Sequence, residues 1–217
     1  MKIKATLSAA LAAVFLFGAG VAEAKTVSLS PASGSSVFGT ENWSRAVDQT
    51  ILDRGNPVGQ RYRGRAGAFR FSDGLNTFIA FCVDPYSYLD LSKVFDVTED
   101  YGVMGNVDKL FNSAYEKVVD ANSAAAFQIA LWEILAENTQ VLDVFGGNHS
   151  VRNQDIGALA NEYLAGLASA GTGAYRYTLF SNRGQDQLSA EPVPLPASAL
   201  LLLGGLGGLT LMRRKKA

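Results

Sequence analysis

The clearest structural signal in the chain is the stretch Asn122-Ser123-Ala124-Ala125-Ala126-Phe127-Gln128-Ile129-Ala130-Leu131-Trp132-Glu133-Ile134-Leu135-Ala136. Phe127, Leu131 and Ile134 recur at the spacing of one helix face. The side-chain oxygens of Asn122-Ser123 are suited to capping the first turn. The pattern therefore predicts a helix over residues 124–136 with its N-cap at Asn122-Ser123.

The part of the chain before this helix has the composition of β-strands. Residues 68–71 and 77–83 are rich in Phe, Ile and Val, and the turn residues Ser72-Asp73-Gly74 lie between them. They predict two strands joined by a tight turn. Shorter alternating runs predict further strands at residues 26–29 and 93–98.

Two more helices flank the central one. Apolar residues at helical spacing predict a helix over residues 107–119 and another over residues 153–168. Residues 174–180 predict a closing strand, and the polar residues after it predict a linker at 185–191. The expected fold class is α+β, a single β-rich domain (a sandwich or barrel) with a helical part, over residues 25–184.

The N-terminus has the three parts of a secretory signal peptide. Lys2 and Lys4 supply positive charge, residues 5–21 are apolar, and Ala22-Glu23-Ala24 is a cleavage site with small residues at both ends. We predict a signal peptide over residues 1–24, removed by cleavage after Ala24.

The C-terminus has the three parts of a sorting signal. The motif Val193-Pro194-Leu195-Pro196-Ala197-Ser198 precedes an apolar run over residues 199–212 and the basic end Arg213-Arg214-Lys215-Lys216. The apolar run is shorter than the ~20 residues of an ordinary membrane-spanning helix. The cations favour a cytoplasmic end. The pattern predicts a short transmembrane helix that holds a precursor in the inner membrane; a plain membrane anchor would leave the prolines unexplained.

Residues 192–217 closely resemble the VPLPA variant of the PEP-CTERM sorting domain, which occurs in Gram-negative bacteria that make exopolysaccharide. The resemblance rests on the motif, the helix and the basic cluster, in that order. It implies processing by an exosortase-type membrane protease near Pro194 to Ala197. It also implies a final location at the cell surface or in the extracellular matrix.

The composition of the exported part disfavours several functions. Without the two terminal segments, the 19 Lys+Arg and 20 Asp+Glu of the chain fall to 13 and 19, a net charge of −6. This charge disfavours nucleic-acid binding. The single histidine, His149, lies in a polar loop and is expected to be solvated. Histidine and cysteine are too few for a zinc site. We predict neither an enzyme nor a metal or other cofactor.

Two polar side chains stand within apolar runs and suggest a specific chemistry. Cys82, the only cysteine, lies near the end of a predicted strand, and Gln128 lies inside the central helix. A thiol can attack a carboxamide, expel ammonia and leave an acyl thioester, which an amine or hydroxyl later opens. Phe81, Phe127 and Trp132 would shield such a bond from water. Several alternatives remain open. Gln128 bonds only to backbone or lies at a boundary of the core, and Cys82 is a free reactive thiol, a buried small hydrophobe or one end of an intermolecular bridge.

The same two segments resemble the Cys-Gln thioester domain of bacterial surface proteins. The resemblance rests on Phe81-Cys82-Val83-Asp84 and on Phe127-Gln128-Ile129-Ala130-Leu131-Trp132-Glu133-Ile134, and it covers about residues 70–180. It implies a mixed domain with a β-sandwich or barrel and a helical part. It also implies that Cys82 supplies the thioester sulfur and Gln128 the acyl group.

Together, these signals predict an exported surface or extracellular-matrix protein. The expected activity is covalent attachment to amines or hydroxyls, on exopolysaccharide or on other surfaces, through an internal thioester. The alternative is a non-covalent carbohydrate-binding or structural module of the exopolysaccharide layer. The chemical state of Cys82 distinguishes the two.

Overall fold

Seven antiparallel strands form the larger sheet, which curls into a half-barrel. The computed structural model describes residues 25–51, 60–137 and 141–194. In order across the sheet, the strands are β1 (Lys25–Val27), β7 (Phe95–Thr98), β9 (Tyr175–Ser181), β10 (Gln187–Pro192), β6 (Thr77–Cys82), β5 (Phe69–Ser72) and β2 (Ser30–Pro31).

A smaller sheet and three helices complete the described residues, so the predicted α+β class is confirmed. In spatial order, the smaller sheet contains β4 (Gln60–Gly67), β3 (Ser44–Ile51) and β8 (His149–Val151). The helices are α1 (Gly105–Ala114), α2 (Ala121–Ala136) and α3 (Gln154–Ala165). Short 3-10 turns extend α1 over Tyr115–Lys117 and α3 over Gly166–Ala168.

Helix α2 is the central element of the domain. Every residue from Ala121 to Ile134 except Asn122 is buried, and the helix packs against α3, β3 and β4. A helix that is apolar on all sides belongs in the core of a domain. Its N-cap is Asp120, whose carboxylate accepts the Ser123 N–H at 2.7 Å. The predicted cap at Asn122-Ser123 is therefore wrong, and Ser123 instead completes a capping box inside the helix.

Aromatic side chains cover β6 on both faces. On the face toward the helices, the ring of Phe81 lies 4.6 Å from that of Phe127 in α2, measured between centroids. On the opposite face, Phe78 stacks on Phe180 of β9 at 4.8 Å. Cys82, the last residue of β6, is itself fully buried.

The linker predicted at residues 185–191 is wrong. Gln187–Pro192 form β10, which is hydrogen-bonded between β9 and β6 in the middle of the larger sheet. Gln187 to Ala190 are all buried. A strand that pairs on both edges and is covered on both faces tolerates polar side chains only where they find room and partners. The domain therefore extends beyond residue 184, through the end of β10.

Several sequence predictions lie outside the described residues. They include the signal peptide over residues 1–24 and the sorting signal from Leu195 onward. Among the helices that the structure describes, none has the length and apolar character needed to cross a membrane. Val193 and Pro194 are described; both are exposed and follow β10 directly.

Candidate functional site

Cys82 and Gln128 are in contact where β6 ends against α2. The Cys82 backbone N–H donates to Gln128 Oε1, and Gln128 Nε2 donates to the Cys82 carbonyl, both at 2.8 Å. Both residues are fully buried. The two residues are thus neighbours, as the sequence led us to expect. The contact runs through the cysteine backbone and both ends of the glutamine carboxamide.

The backbone groups of Cys82 need these partners because they point away from β10. Gln187 is the residue opposite Cys82 in that strand. The next residue, Val83, donates its N–H to the Asp186 carbonyl at 3.0 Å. Backbone N–H and C=O groups of successive residues point to opposite edges of a strand in an antiparallel ladder. The N–H and C=O of Cys82 are therefore directed toward the side of the neighbouring strand β5.

Strand β5 begins too late to satisfy Cys82. The register between β5 and β6 would place Gly67 opposite Cys82, but Gly67 is the last residue of β4 in the smaller sheet. A Cβ at this position would overlap the Trp43 carbonyl oxygen, so the close approach of the two chain segments requires glycine. The Gln128 carboxamide takes the place of the missing peptide group and completes the ladder.

The Cys82 thiol is protonated and held away from water. It donates to the Asp84 carbonyl oxygen at 3.2 Å. Burial raises the pKa of the thiol, the Trp132 indole N–H opposes the rise, and the negative charges of Asp84 and Asp186 add to it. Because the thiolate is the nucleophilic form, this thiol reacts only when its proton is removed during the attack.

The three residues predicted to shield a thioester are all buried. Phe81 and Phe127 pack together on the helix-facing side of β6. Successive side chains of a strand point to opposite faces, so the side chain of Cys82 lies on the face opposite Phe81. Trp132 is only 4% exposed and contributes to the environment of the sulfur itself.

The indole N–H of Trp132 is buried and makes no hydrogen bond to any residue that the structure describes. Trp132 follows Gln128 by one helical turn, so the two side chains share one side of α2. No acceptor among the described residues meets hydrogen-bond geometry at Nε1. The N–H nevertheless affects the pKa of Cys82. Both findings fit an indole N–H that faces the sulfur but falls short of a bond to the neutral thiol.

Gln187 is a site residue that the sequence analysis missed. Directly opposed residues of an antiparallel pair project to the same face, so its carboxamide lies on the same face as the Cys82 thiol. Gln187 is fully buried, and its Nε2 donates to Gln185 Oε1 at 2.9 Å. Its Oε1 has no donor among the described residues. The weak alternation Gln187-Leu188-Ser189-Ala190 was the only sequence signal for a strand here.

His149 is buried in β8, so the prediction of a solvated loop histidine is wrong. Its Nε2 lies 3.1 Å from Gln49 Oε1, and its Nδ1 lies 3.7 Å from Glu133 Oε2. The second distance is too long for a hydrogen bond. Neither His149 Nδ1 nor Glu133 Oε2 has a hydrogen-bond partner in the described part of the chain. The imidazole packs edge-on against Trp132 at 5.9 Å between ring centroids. This contact supports the position of the indole.

Comparisons of the chain with models of protein families, with curated proteins and with solved structures find no match. The chemistry of the site is therefore inferred from its own atoms. They comprise a buried thiol and a carboxamide held at the backbone of the same cysteine. A donor on Trp132 and an acceptor on Gln187 lack partners among the residues that the structure describes. Such a set is suited to acyl transfer between sulfur and nitrogen.

Proposed function

We propose that this chain is an exported surface or extracellular-matrix protein that attaches covalently to amines or hydroxyls through a thioester between Cys82 and Gln128. The observation that carries the proposal is the pair of 2.8 Å hydrogen bonds that fix the Gln128 carboxamide beside Cys82 in a buried site. Holding the carboxamide beside the residue that carries the thiol lowers the entropic barrier to their reaction.

This arrangement supports formation of the bond. Rotation about the Cα–Cβ bond of Cys82 turns Sγ from the Asp84 carbonyl toward Cδ of Gln128. The sulfur–carbon bond forms, the carbon–nitrogen bond breaks, and the thiol proton leaves with the nitrogen as ammonia. Negative charge develops on Oε1 during the attack, and the Cys82 N–H already donates to that oxygen at 2.8 Å. A donor in place before the reaction stabilises the transition state without reorganisation.

Opening of the thioester attaches the protein to its target. An amine or hydroxyl attacks Cδ, its proton passes to the sulfur, and an amide or ester joins the target to Gln128. The buried site supports this proposal, since a thioester exposed to water would hydrolyse before it met a target.

Export is part of the same proposal and rests on the two ends of the sequence. We infer that an exosortase-type protease of a Gram-negative host cuts the inner-membrane precursor near Pro194 to Ala197. The exposure of Val193 and Pro194 immediately after β10 supports access of a protease to this segment.

The mass of the purified domain tests the thioester. With the bond formed, the domain weighs one ammonia less than its sequence mass and does not react with a thiol-alkylating reagent. Methylamine adds its own mass to the thioester form and releases Cys82 for alkylation. A domain at full sequence mass, with Cys82 alkylated under denaturing conditions before any amine is added, would contradict the proposal.

Cys82→Ala is the matched control for this experiment. It removes the sulfur but keeps the backbone N–H and C=O that bind Gln128, so the fold should persist while the mass deficit and the methylamine adduct disappear. A deficit that survives in Cys82→Ala would assign the loss of ammonia to another residue.

A second candidate function is non-covalent carbohydrate binding in the matrix. Two observations favour it: Gln128 already has a complete structural role, and a cavity of about 370 Å³ is lined by polar and aromatic side chains, among them Arg70, Thr77, Tyr115 and Glu191. Exopolysaccharide binding by Cys82→Ala, weakened by a further Tyr115→Ala substitution, would support this function. Loss of all binding in Cys82→Ala would exclude it.

A further inference from the structure

Two unmade hydrogen bonds lie beside the cysteine. The N–H of Trp132, from α2, lacks an acceptor, and Oε1 of Gln187, from β10, lacks a donor, within the part of the chain that the structure describes. Buried polar groups without partners are costly and rare in folded proteins. An unused donor and an unused acceptor around one thiol indicate a transient species that would use both.

We propose that Trp132 and Gln187 stabilise the transition state of acyl transfer at Cys82, an assignment that rests on the thioester proposed above. Trp132 donates its indole N–H to the sulfur while that atom carries negative charge. Gln187 accepts, at Oε1, an N–H of the nitrogen that leaves as ammonia or enters as an amine.

The tetrahedral intermediate at Cδ of Gln128 has three heteroatoms, and each then has its own partner. The oxygen is bound by the Cys82 N–H, as the 2.8 Å contact already indicates. The sulfur is bound by Trp132. The nitrogen, which donates one N–H to the Cys82 carbonyl at 2.8 Å in the resting state, donates another to Gln187. During amine opening, the carbon–nitrogen bond forms, the carbon–sulfur bond breaks, and one amine proton passes to the sulfur. No other reactant is needed.

The position of Trp132 suits a bond that forms only in the transition state. The thiol proton is directed to the Asp84 carbonyl, so the indole meets a neutral sulfur in the resting state. Hydrogen bonds to an anion are shorter and stronger than those to a neutral group. Burial of the indole and its edge-on contact with His149 hold the donor in place. An interaction stronger in the transition state than in the ground state lowers the barrier.

The position of Gln187 suits the nitrogen. It is opposite Cys82 in the sheet, and the bond from its Nε2 to Gln185 Oε1 fixes which end of its carboxamide is occupied. The other end of the Gln187 carboxamide, Oε1, is a hydrogen-bond acceptor, and it can accept an N–H of ammonia or of an amine. A sulfur nucleophile has no hydrogen to offer it after losing its proton.

Opening rates with two nucleophiles test the assignment. The full exported domain is prepared as wild type, Trp132→Phe and Gln187→Leu, and the mass deficit of one ammonia is measured first. Each protein is then opened with methylamine or with ethanethiol, and the adduct is followed by mass. Trp132→Phe should slow both reactions by about tenfold or more, the effect of one hydrogen bond to a charged group. Gln187→Leu should slow opening by methylamine by about three- to tenfold, as for a neutral hydrogen bond. It should leave the rate of opening by ethanethiol unchanged.

If Gln187→Leu only loosened the site, it would change the opening rates with methylamine and with ethanethiol by the same factor. That result would overturn the role of Gln187. Wild-type rates in Trp132→Phe would overturn the role of Trp132. A wild-type domain without the mass deficit would instead refute the thioester itself. A folded variant that lacks the deficit supports the assignment, because formation passes through the same intermediate. Trp132→Tyr and Gln187→Met replace any first variant that does not fold.

Discussion

Removal of the Gln128 carboxamide should destabilise the domain even where no thioester can form. The test is Gln128→Ala in a Cys82→Ala background. That background has no sulfur, yet it retains both backbone groups that the carboxamide binds. The comparison with Cys82→Ala alone therefore isolates the structural contribution of Gln128 from any covalent bond.

The magnitude follows from the two contacts. Gln128→Ala leaves the N–H and the C=O at position 82 buried without partners, because β5 does not reach them. Each unsatisfied buried group costs about 1–3 kcal/mol. The expected loss is thus about 2–6 kcal/mol, a large part of the roughly 5–15 kcal/mol that stabilises a typical domain. From the sequence alone, a glutamine bordering an apolar stripe would be expected to cost less.

Urea unfolding followed by tryptophan fluorescence measures this loss, since Trp132 lies one helical turn from the substitution. The free energies of unfolding of the single and double variants are compared at equal slopes of the transition. Gln187→Leu in the same Cys82→Ala background is the matched control. It removes a buried glutamine that makes one hydrogen bond, and it should cost about 1 kcal/mol or less. A difference below about 1 kcal/mol for Gln128→Ala would refute the account of Gln128 as a substitute for the missing strand.

Three further predictions concern other parts of the chain. A chain ending at residue 184 should fail to fold and one ending at residue 194 should fold, because β10 is central to the sheet; circular dichroism and thermal unfolding distinguish them. Asp120→Ala should cost about 0.5–2 kcal/mol near pH 7. Hydrogen bonds from Ser123 lower the pKa of Asp120. The stabilisation by the Asp120 cap is therefore present above the pKa of about 4 that an aspartate has in the unfolded chain. It should vanish as the pH falls through the lower pKa of Asp120 in the folded domain. Unfolding measured at several pH values tests this. Replacing Arg213-Arg214-Lys215-Lys216 by neutral residues should impair C-terminal processing in an exosortase-containing host, measured by the mass of the released protein; unchanged processing would contradict the sorting signal.

Local patterns were sufficient to predict most elements of the fold. The two strands on either side of Ser72-Asp73-Gly74 and the three helices lie close to their predicted positions, because each has a regular apolar period. The contact between Cys82 and Gln128 was also expected, from the chemistry of the pair and the resemblance to thioester domains. The thioester itself stays a prediction.

Apart from the misplaced N-cap of α2, the failures share a cause, since they concern residues whose environment is set by distant parts of the chain. β10 looked like a linker because its burial comes from β6 and β9, which no local pattern records. His149 looked solvated because its cover comes from Trp132 and Glu133. Nor does the sequence show that β5 begins too late in the chain to pair with Cys82. It therefore could not reveal why the carboxamide of Gln128 is bound there.

The central place of β10 also determines when folding can finish. A chain that emerges N-terminus first, from a ribosome or through an export channel, has the larger sheet divided between β9 and β6 until its last described strand appears. Until then, β6 and β9 each lack the strand that pairs between them. On the proposed export route, translocation would precede formation of the thioester. On the proposed mechanism, the electrophile would arise only after nearly the whole chain had left the cell interior, where abundant amines would otherwise consume it.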